Sequence, residues 1–286
     1  MIKDIKRAMR LTGMRPLPHW PVRPPVDLRG KRVLLTGGSS GIGAVAARKL
    51  AATGASVAIV ARREGLLAEV VDAITAAGGD ATAVRADLAD LDQVDALVDE
   101  IGPVDILINN AARSIRRPLA DSLERWHDVE RVMAINYFAP LRLIRGLAPG
   151  MVERGDGHII NVTTWRVLPE SSPMFAAYNA SKAALSAVSR VIDTEWGAAG
   201  VHSTTIYYPL VATPMIAATH AYDGVAALSA DEAAAWMVTA ARTRPIRIAP
   251  RKALALRALD VVAPRVLNGI LERETHRLDA RARSGH

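Results

Sequence analysis

A phenol and an ammonium group stand four residues apart in the run YNASK, from Tyr178 to Lys182. The surrounding pattern is helical, so both side chains share one face of the helix. A phenol has an ordinary pKa of about 10 and transfers protons poorly at neutral pH, but a neighbouring ammonium favours the phenolate and lowers that pKa. The spacing predicts an acid–base pair, although the same spacing also arises by chance on protein surfaces.

Two threonines precede this pair. The apolar run at 158–162 predicts a strand, which ends in Asn161-Val162-Thr163-Thr164. In an open parallel sheet, ligands bind at the carboxyl ends of the strands. The sequence therefore predicts a hydroxyl group at the edge where a substrate would bind.

A glycine-rich turn, TGGSSGIG, occupies residues 36–43 between a predicted strand and a predicted helix. Glycine lets the backbone approach a pyrophosphate, which then binds at the positive end of the helix dipole. The turn predicts a dinucleotide site formed by Thr36, Gly37, Ser39, Ser40, Gly41, Ile42 and Gly43.

The end of the second predicted strand discriminates between nicotinamide cofactors. It reads Val60-Ala61-Arg62-Arg63, without the carboxylate that would bond the ribose hydroxyls of NAD. Arg62 can instead pair with a 2′-phosphate through charge-assisted hydrogen bonds. NADP, as NADPH for a reduction, is therefore favoured over NAD, whereas Arg63 has the simpler interpretation of a solvated residue at a helix start.

Short β-branched runs alternate with longer alanine-rich stretches of helical period, which is the βαβ pattern. The predicted strands are 32–35, 56–61, 82–85, 106–109, 158–162, 202–207 and 246–249. The predicted helices are 42–52, 66–77, 91–100, 123–146, 175–198 and 230–242. This pattern predicts an α/β fold, namely a single-domain doubly wound parallel sheet (a Rossmann fold) of about seven strands.

Composition excludes several classes of protein. Half of the 286 residues are hydrophobic, which suffices for one large core and excludes disorder as the main state. Because the chain has no cysteine, disulfides, thiolate metal sites and covalent thioester chemistry on a cysteine are excluded, and we predict no metal site. No apolar run approaches the roughly 20 residues of a membrane span, so we expect a cytoplasmic protein.

The net charge of +7 is concentrated at the two ends of the chain. Residues 1–32 and residues 242–286 each carry +7, whereas residues 33–241 carry −7. An acidic body argues against a nucleic-acid groove as the main surface. The basic ends leave two interpretations open, a peripheral membrane contact or packing on the chain's own domain.

We divide the chain into three parts on this basis. A basic, proline-rich leader covers 1–27, an NADP-binding domain covers 28–251, and an amphipathic helical extension covers 252–286.

These features together resemble the short-chain dehydrogenase/reductase family. The resemblance rests on family order and spacing of the turn at 36–43, Asp87-Leu88, Asn109-Asn110-Ala111, Asn136, the strand-end hydroxyl and the run from Tyr178 to Lys182. The family implies that Tyr178 donates a proton to a reduced carbonyl. It also implies that Lys182 holds the nicotinamide ribose and lowers the pKa of Tyr178, and that Asn136 anchors a water in the proton relay.

Further cofactor contacts follow from the same resemblance. Asp87 and Leu88 would border the adenine, and Asn110 and Ala111 would support the cofactor near the central strand. At the end of the sixth strand, the implied cofactor residues are Pro209, Val211 and Thr213, with Thr213 at the nicotinamide carboxamide.

The hydroxyl position departs from the family pattern. The usual catalytic serine is a threonine, and Thr164 lies fourteen residues before Tyr178, where thirteen is common. A count of thirteen reaches Trp165, which has no hydroxyl. We assign the hydrogen bond to the substrate carbonyl to Thr164, with Thr163 as the reserve.

Two smaller departures concern the cofactor side. Ala112 replaces the glycine that usually follows Asn-Asn-Ala. The segment 209–213, which contains Thr213, lacks the glycine that usually follows its proline and is one residue short.

Three segments on the substrate side, 112–117, 208–217 and 244–249, resemble the reductase domain of bacterial fatty acyl-CoA reductases. This resemblance implies NADPH-dependent reduction of a long-chain acyl thioester to an aldehyde. Since the chain has no cysteine, the hydride would be delivered directly to the thioester carbon.

The residue types on these segments fit such a substrate. Arg113, Arg116 and Arg117 would pair with phosphates of CoA or of an acyl carrier protein. An apolar lid at 214–228, with Met215 and Ile216, would accept an alkyl chain. The simpler interpretations are solvated arginines on a loop and apolar residues that seal the core.

Two alternatives stay open from sequence. A reductase of a bulky lipophilic ketone, aldehyde or alcohol would use the same apparatus. A non-catalytic NADP-binding protein would have Thr164 and Trp165 blocking its pocket. By analogy with the family, the long helices near Leu123 and Phe175 predict a homo-oligomer, either a dimer or a tetramer.

Overall fold

The structure is a computed structural model that describes residues 13–16, 24–217 and 222–284. In this part of the chain, seven parallel strands form one sheet in the order β3-β2-β1-β4-β5-β6-β7. The strands are β1 (Arg32–Thr36), β2 (Ser56–Ala61), β3 (Asp80–Arg85), β4 (Ile106–Asn109), β5 (Gly157–Thr164), β6 (Val201–Tyr208) and β7 (Arg247–Ile248). The predicted doubly wound sheet is confirmed, and every predicted strand is present within two residues of its expected ends.

Helices cover both faces of the sheet. They are α1 (Gly41–Ala51), α2 (Glu64–Ala76), α3 (Leu91–Ile101), α4 (Trp126–Met133), α5 (Ala139–Glu153), α6 (Ala176–Trp196), α7 (Pro214–Ala217), α8 (Ala230–Thr243), α9 (Arg251–Val262) and α10 (Pro264–Ser284). The helices predicted at 42–52, 66–77, 91–100, 175–198 and 230–242 are confirmed to within two residues.

The continuous helix predicted over 123–146 is wrong. The chain there contains α4, a π-helical turn at Ala134–Phe138, and α5. The apolar pattern continues through the π-turn, so periodicity alone does not reveal it. Such turns are rare and often occur at functional sites, and this one carries Asn136.

Adjacent residues of the central strands bury opposite faces of the sheet. Leu35 lies in the core beneath α1, α2 and α8, whereas Leu34 lies in the core beneath α3, α5 and α6. Every residue of β4 and β5 is buried. This two-sided burial explains why apolar residues follow one another in these strands instead of alternating with exposed polar residues.

The strand order reverses at β1. This strand pairs with β2 on one side and with β4 on the other. Because α1 follows β1 on one face of the sheet and α5 follows β4 on the other, a crevice is left at their carboxyl ends.

The C-terminal helices return to this crevice. At the start of α9, the Arg251 N–H donates to the Arg15 carbonyl at 3.2 Å, and Ala253 packs in a cluster with Leu168. Within α10, Asp279 forms an ion pair with Arg116 from the loop after β4. The extension predicted at 252–286 therefore packs against the domain in its described portion.

The predicted leader is described only at 13–16 and 24–27. The rest of this basic end, for which a membrane contact was one interpretation, lies outside the described residues. None of the helices within the described ranges has the length and apolar character needed to cross a bilayer.

Candidate active site

A cavity of about 680 Å³ opens at the carboxyl edge of the sheet. Its walls include the predicted cofactor residues Gly37, Ser39, Ser40, Gly41, Ile42, Gly43, Arg62, Asp87, Leu88, Asn110, Ala111, Pro209, Val211 and Thr213. Thr164, Tyr178, Lys182, Met215 and Ile216 line the same cavity. The dinucleotide turn and the Tyr–Lys pair thus share one enclosed space.

Helix α6 brings the Tyr–Lys pair to this space because small polar residues fasten it to β6. The Ser186 hydroxyl hydrogen-bonds the Tyr207 hydroxyl at 2.6 Å, and the Ser189 hydroxyl hydrogen-bonds the Ser203 hydroxyl at 2.6 Å. Serine lets the helix lie close to the strand while its buried oxygen is satisfied. The position of Lys182 along the sheet is therefore held at two points further along the helix.

The Lys182 side chain is fully buried, at 1% exposure. Its ammonium donates a hydrogen bond to the carbonyl oxygen of Val162 in β5 at 2.8 Å. The residue whose carbonyl it bonds lies two positions before Thr164, so the lysine reaches the strand end that carries the candidate hydroxyl.

Burial shifts the pKa values of both members of the pair. It raises the pKa of Tyr178 to about 12 and lowers the pKa of Lys182 to about 7. The positive charge of Arg166 opposes the rise in the pKa of Tyr178, and Tyr222 reinforces that rise. In the sequence analysis, Lys182 was the group expected to lower this pKa. In the structure, Arg166 is the positive charge that lowers the pKa of Tyr178.

Arg166 is a functional candidate that the sequence analysis missed. Its guanidinium carbon lies 5.4 Å from the centroid of the Trp165 ring and 5.2 Å from that of Phe175. All three residues line the cavity. The sequence clue to its role was its position two residues after the strand-end hydroxyl of Thr164. The sequence does not show that the chain folds so that the charge of Arg166 acts on Tyr178.

The two candidate threonines differ in how their hydroxyl groups are used. The Thr163 hydroxyl donates to the Ile206 carbonyl of the neighbouring strand at 3.1 Å. The Thr164 oxygen instead accepts a long contact, 3.4 Å, from the Arg166 N–H, which leaves its proton available to a substrate. This geometry favours Thr164, the first choice from sequence.

Asn136 lies in the π-helical turn, fully buried, and does not itself line the cavity. The Oδ1 atom of its side chain accepts a hydrogen bond from the Arg113 backbone N–H at 2.8 Å, and the side-chain Nδ2 donates to the Arg113 carbonyl at 2.9 Å. The amide also donates to the Ser181 hydroxyl at 3.0 Å. Asn136 therefore ties the loop after β4 to the helix that carries the Tyr–Lys pair. The predicted role of anchoring a water stays a prediction.

The glycine-rich turn has room for backbone only. A Cβ on Gly37 would lie 2.8 Å from the Ala111 Cα, and a Cβ on Gly43 would clash with the Gly37 carbonyl. Thr36 holds the neighbouring strand ends together, because its hydroxyl oxygen accepts from the Asn110 N–H at 2.9 Å. The turn is thus a fixed cradle at the start of α1, as a pyrophosphate requires.

The far end of the cavity carries the predicted 2′-phosphate site. Arg62 is exposed, and its guanidinium lies 3.5 Å from the Asp87 carboxylate. Arg63 donates to the Ser40 hydroxyl at 3.0 Å, so it braces the glycine-rich turn. At the opposite end, a Cβ on Gly41 would lie 3.4 Å from the Thr213 methyl, which brings Thr213 beside the same turn. These positions fit a dinucleotide.

The three arginines after β4 were expected to pair with phosphates of the substrate. Arg113, Arg116 and Arg117 are not among the residues that line the cavity. Arg116 is paired with Asp279, and Arg117 lies 3.3 Å from the Asp128 carboxylate. These ion pairs secure the loop to α10 and α4. Phosphate binding by Arg113, Arg116 and Arg117 stays a prediction.

No group of three or more His, Cys, Asp or Glu side chains in the described part of the chain is arranged to hold a metal ion.

Comparison with known proteins adds to this geometry. A family model described as short chain dehydrogenase matches residues 31–223. A fatty acyl-CoA reductase of Mycobacterium tuberculosis is 64% identical over 97% of this chain and 98% of its own length. A fatty acyl-CoA reductase of Acinetobacter baylyi is 44% identical over 85% of this chain and 83% of its own.

Solved structures are similar in the same region. A metagenomic short-chain oxidoreductase in complex with NADP has a TM-score of 0.65 at 30% identity, over 76% of this chain and 92% of its own. The match to the mycobacterial relative is longer, because it covers 97% of this chain and so includes the region of the C-terminal helices.

Replacement of Lys182 by methionine is expected to change the free energy of unfolding in opposite directions at low and at high pH. A lysine whose pKa falls from 10.5 to about 7 on folding destabilises the folded state fully below pH 7, and this cost disappears as the pH rises to about 10.5. The change is about 1.4 kcal/mol per pH unit in that window. Lys182→Met should therefore be more stable than the wild type at pH 6.

At pH 10 the same variant should be less stable, because the Val162 carbonyl has lost its hydrogen bond at a cost of roughly 1–3 kcal/mol. Urea unfolding of the cofactor-free protein across this range measures the difference. Lys49→Met, at a surface position paired with Asp231, is the control. A difference that does not vary with pH would contradict the assignment of a charged, buried lysine.

Proposed function

The chain belongs to the short-chain dehydrogenase family, and we propose that it reduces long-chain fatty acyl-CoA to the fatty aldehyde with NADPH. The observation that carries this proposal is the 64% identity to the mycobacterial fatty acyl-CoA reductase over nearly the whole of both chains. The Acinetobacter relative and the NADP complex of the metagenomic oxidoreductase agree with it. The shared cavity of the glycine-rich turn and the Tyr–Lys pair supports it independently.

The residues that would hold NADPH follow from the cavity. The backbone of 37–43 would receive the pyrophosphate, Arg62 the 2′-phosphate, and Lys182 the nicotinamide ribose. When bound, the cofactor supplies a hydride to the substrate carbonyl carbon.

The chain itself supplies the proton and the hydrogen bonds at the carbonyl oxygen. As negative charge develops on that oxygen, the Thr164 hydroxyl donates a hydrogen bond and Tyr178 transfers its proton. The high pKa of Tyr178 keeps the phenol protonated before the reaction, as a proton donor must be. The positive charge of Arg166 then favours the phenolate that results.

The substrate half of the cavity suits an alkyl chain. Met215, Ile216, Val225 and Ala226 line one side of it, and Leu278 of α10 lines another. These side chains form an apolar wall, which favours a long apolar group over a sugar or a small polar ketone.

We further propose two surface contacts. The exposed side chains of Leu123, Trp126 and Phe138, around α4, would bury against a second copy in a homo-oligomer. Val261, Val262, Val266 and Ile270, exposed where α9 meets α10, would enter the surface of a bilayer that holds the lipophilic product.

Purified protein, NADPH and a long-chain acyl-CoA, run beside the matching free aldehyde, test the proposed reaction. We expect NADPH absorbance to fall with the thioester and the aldehyde to appear as product. Oxidation with the aldehyde alone would assign the chain to lipophilic carbonyl reduction instead. Bound NADPH without oxidation of either substrate would assign it to a non-catalytic role.

Arg62→Ala should weaken NADPH far more than NADH. A charge-assisted hydrogen bond contributes about 1.5–3 kcal/mol, so the KM for NADPH should rise about tenfold or more while that for NADH changes little. Arg63→Ala is the matched control, since that neighbour braces Ser40. An equal effect on both cofactors would show that Arg62 does not bind the 2′-phosphate.

A further inference from the structure

Reduction of a thioester requires a step that reduction of a ketone does not. Hydride addition and protonation of the oxygen give a hemithioacetal, in which the carbon still carries sulfur. For the aldehyde to form, the hydroxyl returns its proton to the Tyr178 phenolate, the carbon–oxygen double bond forms, and the carbon–sulfur bond breaks. The electron pair leaves on sulfur as the CoA thiolate, which takes a proton from solvent. A positively charged group that stabilises the negative charge developing on sulfur would accelerate this step.

Few charged side chains are available for this in the substrate half of the cavity. The described lining there has Arg166, Lys252 and Glu274, in addition to Lys182. Lys182 is buried and directs its ammonium to the Val162 carbonyl. Glu274 would repel a thiolate, and Lys252 is exposed at the start of α9, with its ammonium 5.8 Å from the Trp165 centroid.

Arg166 lies two residues after Thr164, and its charge acts on Tyr178. Its own N–H contacts the Thr164 oxygen, so its backbone is fixed to the residue that bonds the carbonyl. Its guanidinium lies against the Phe175 ring, and that ring in turn packs on the Tyr178 ring at 6.1 Å between centroids. Two aromatic rings hold the guanidinium in place, and a delocalised guanidinium stacked on rings suits a soft, polarisable anion.

We propose that Arg166 is a catalytic residue for thioester reduction, and that its guanidinium stabilises the departing CoA thiolate. This inference rests on the proposed function, since a reductase of aldehydes or ketones has no leaving group. With Arg166 in this role, the site can break the carbon–sulfur bond of the hemithioacetal and release the aldehyde, a step that reduction of a simple carbonyl does not include.

The test compares two reactions in one protein. In Arg166→Gln, we expect kcat for the long-chain acyl-CoA to fall about 100-fold, in line with loss of one group aimed at developing charge. Reduction of the matching aldehyde should fall much less, so the ratio of the two rates drops at least tenfold. Arg166→Lys, which keeps the charge, should recover part of the ratio. NADPH binding, measured by fluorescence, should be unchanged in both variants.

A change of leaving group separates this role from an effect on Tyr178. In Arg166→Gln, reduction of a long-chain aryl thioester should fall much less than reduction of the CoA thioester, because a less basic thiolate leaves without assistance. Loss of Arg166 would also raise the pKa of Tyr178, but that effect would slow all substrates alike.

Several outcomes would overturn the proposal. One is an equal loss with acyl-CoA and aldehyde in Arg166→Gln, and another is an aryl thioester as impaired as the CoA thioester. A fall of the ratio in Lys252→Gln but not in Arg166→Gln would move the role to the other cation. Wild-type protein that reduces the aldehyde but not the acyl-CoA would instead show that the proposed function itself fails.

Discussion

The buried ammonium of Lys182 is the constraint on which the rest of the site depends. A charge in the interior is costly unless it is hydrogen-bonded, and here the Val162 carbonyl is the acceptor the structure provides. The helix must therefore lie tightly on the sheet, which the serines of α6 permit through their bonds to β6. Tyr178 lines the cavity beside this packing, and its raised pKa keeps the phenol protonated. We therefore expect the folded state to be less stable near neutral pH with Lys182 than with an apolar residue at this position. The cost comes with the placement of Tyr178 and Lys182 in one cavity.

The cofactor half of the cavity rests on a different principle, absence of side chains. Gly37 and Gly43 leave the backbone free to meet a pyrophosphate, and Thr36 and Asn110 lock the adjacent strand ends around it. The substrate half is assembled from elements far apart in sequence, including the loop after β4 and the C-terminal helix α10. The Arg116–Asp279 ion pair joins those two elements. The fold therefore separates a cofactor cradle built from local backbone from a substrate wall built from distant elements.

The sheet, its strand bounds and the glycine-rich turn were predictable because each depends on local sequence, whereas the cavity-lining positions from Asp87 to Thr213 were predicted through the family resemblance. Apolar runs mark buried strands, and glycines mark the turn. The π-turn at Asn136 was not predictable, since one extra residue in a helical turn hardly disturbs the apolar pattern. Pairing of Arg116 and Arg117 with carboxylates was hidden for a similar reason, because sequence shows a charge but not its distant partner. Arg166 escaped notice because its importance comes from two rings and a tyrosine that only the folded loop brings together.

The central claim is that Tyr178, enclosed beside Lys182, donates the proton to the substrate oxygen. The most direct measurement is a single-turnover reaction of Tyr178→Phe with bound NADPH and a long-chain acyl-CoA, which bypasses cofactor binding and product release. The claim predicts that NADPH binds as in the wild type and that hydride transfer falls by at least about 100-fold, within the range attributed to a positioned acid. Hydride transfer at a rate close to that of the wild type would contradict it and require another proton donor in the cavity.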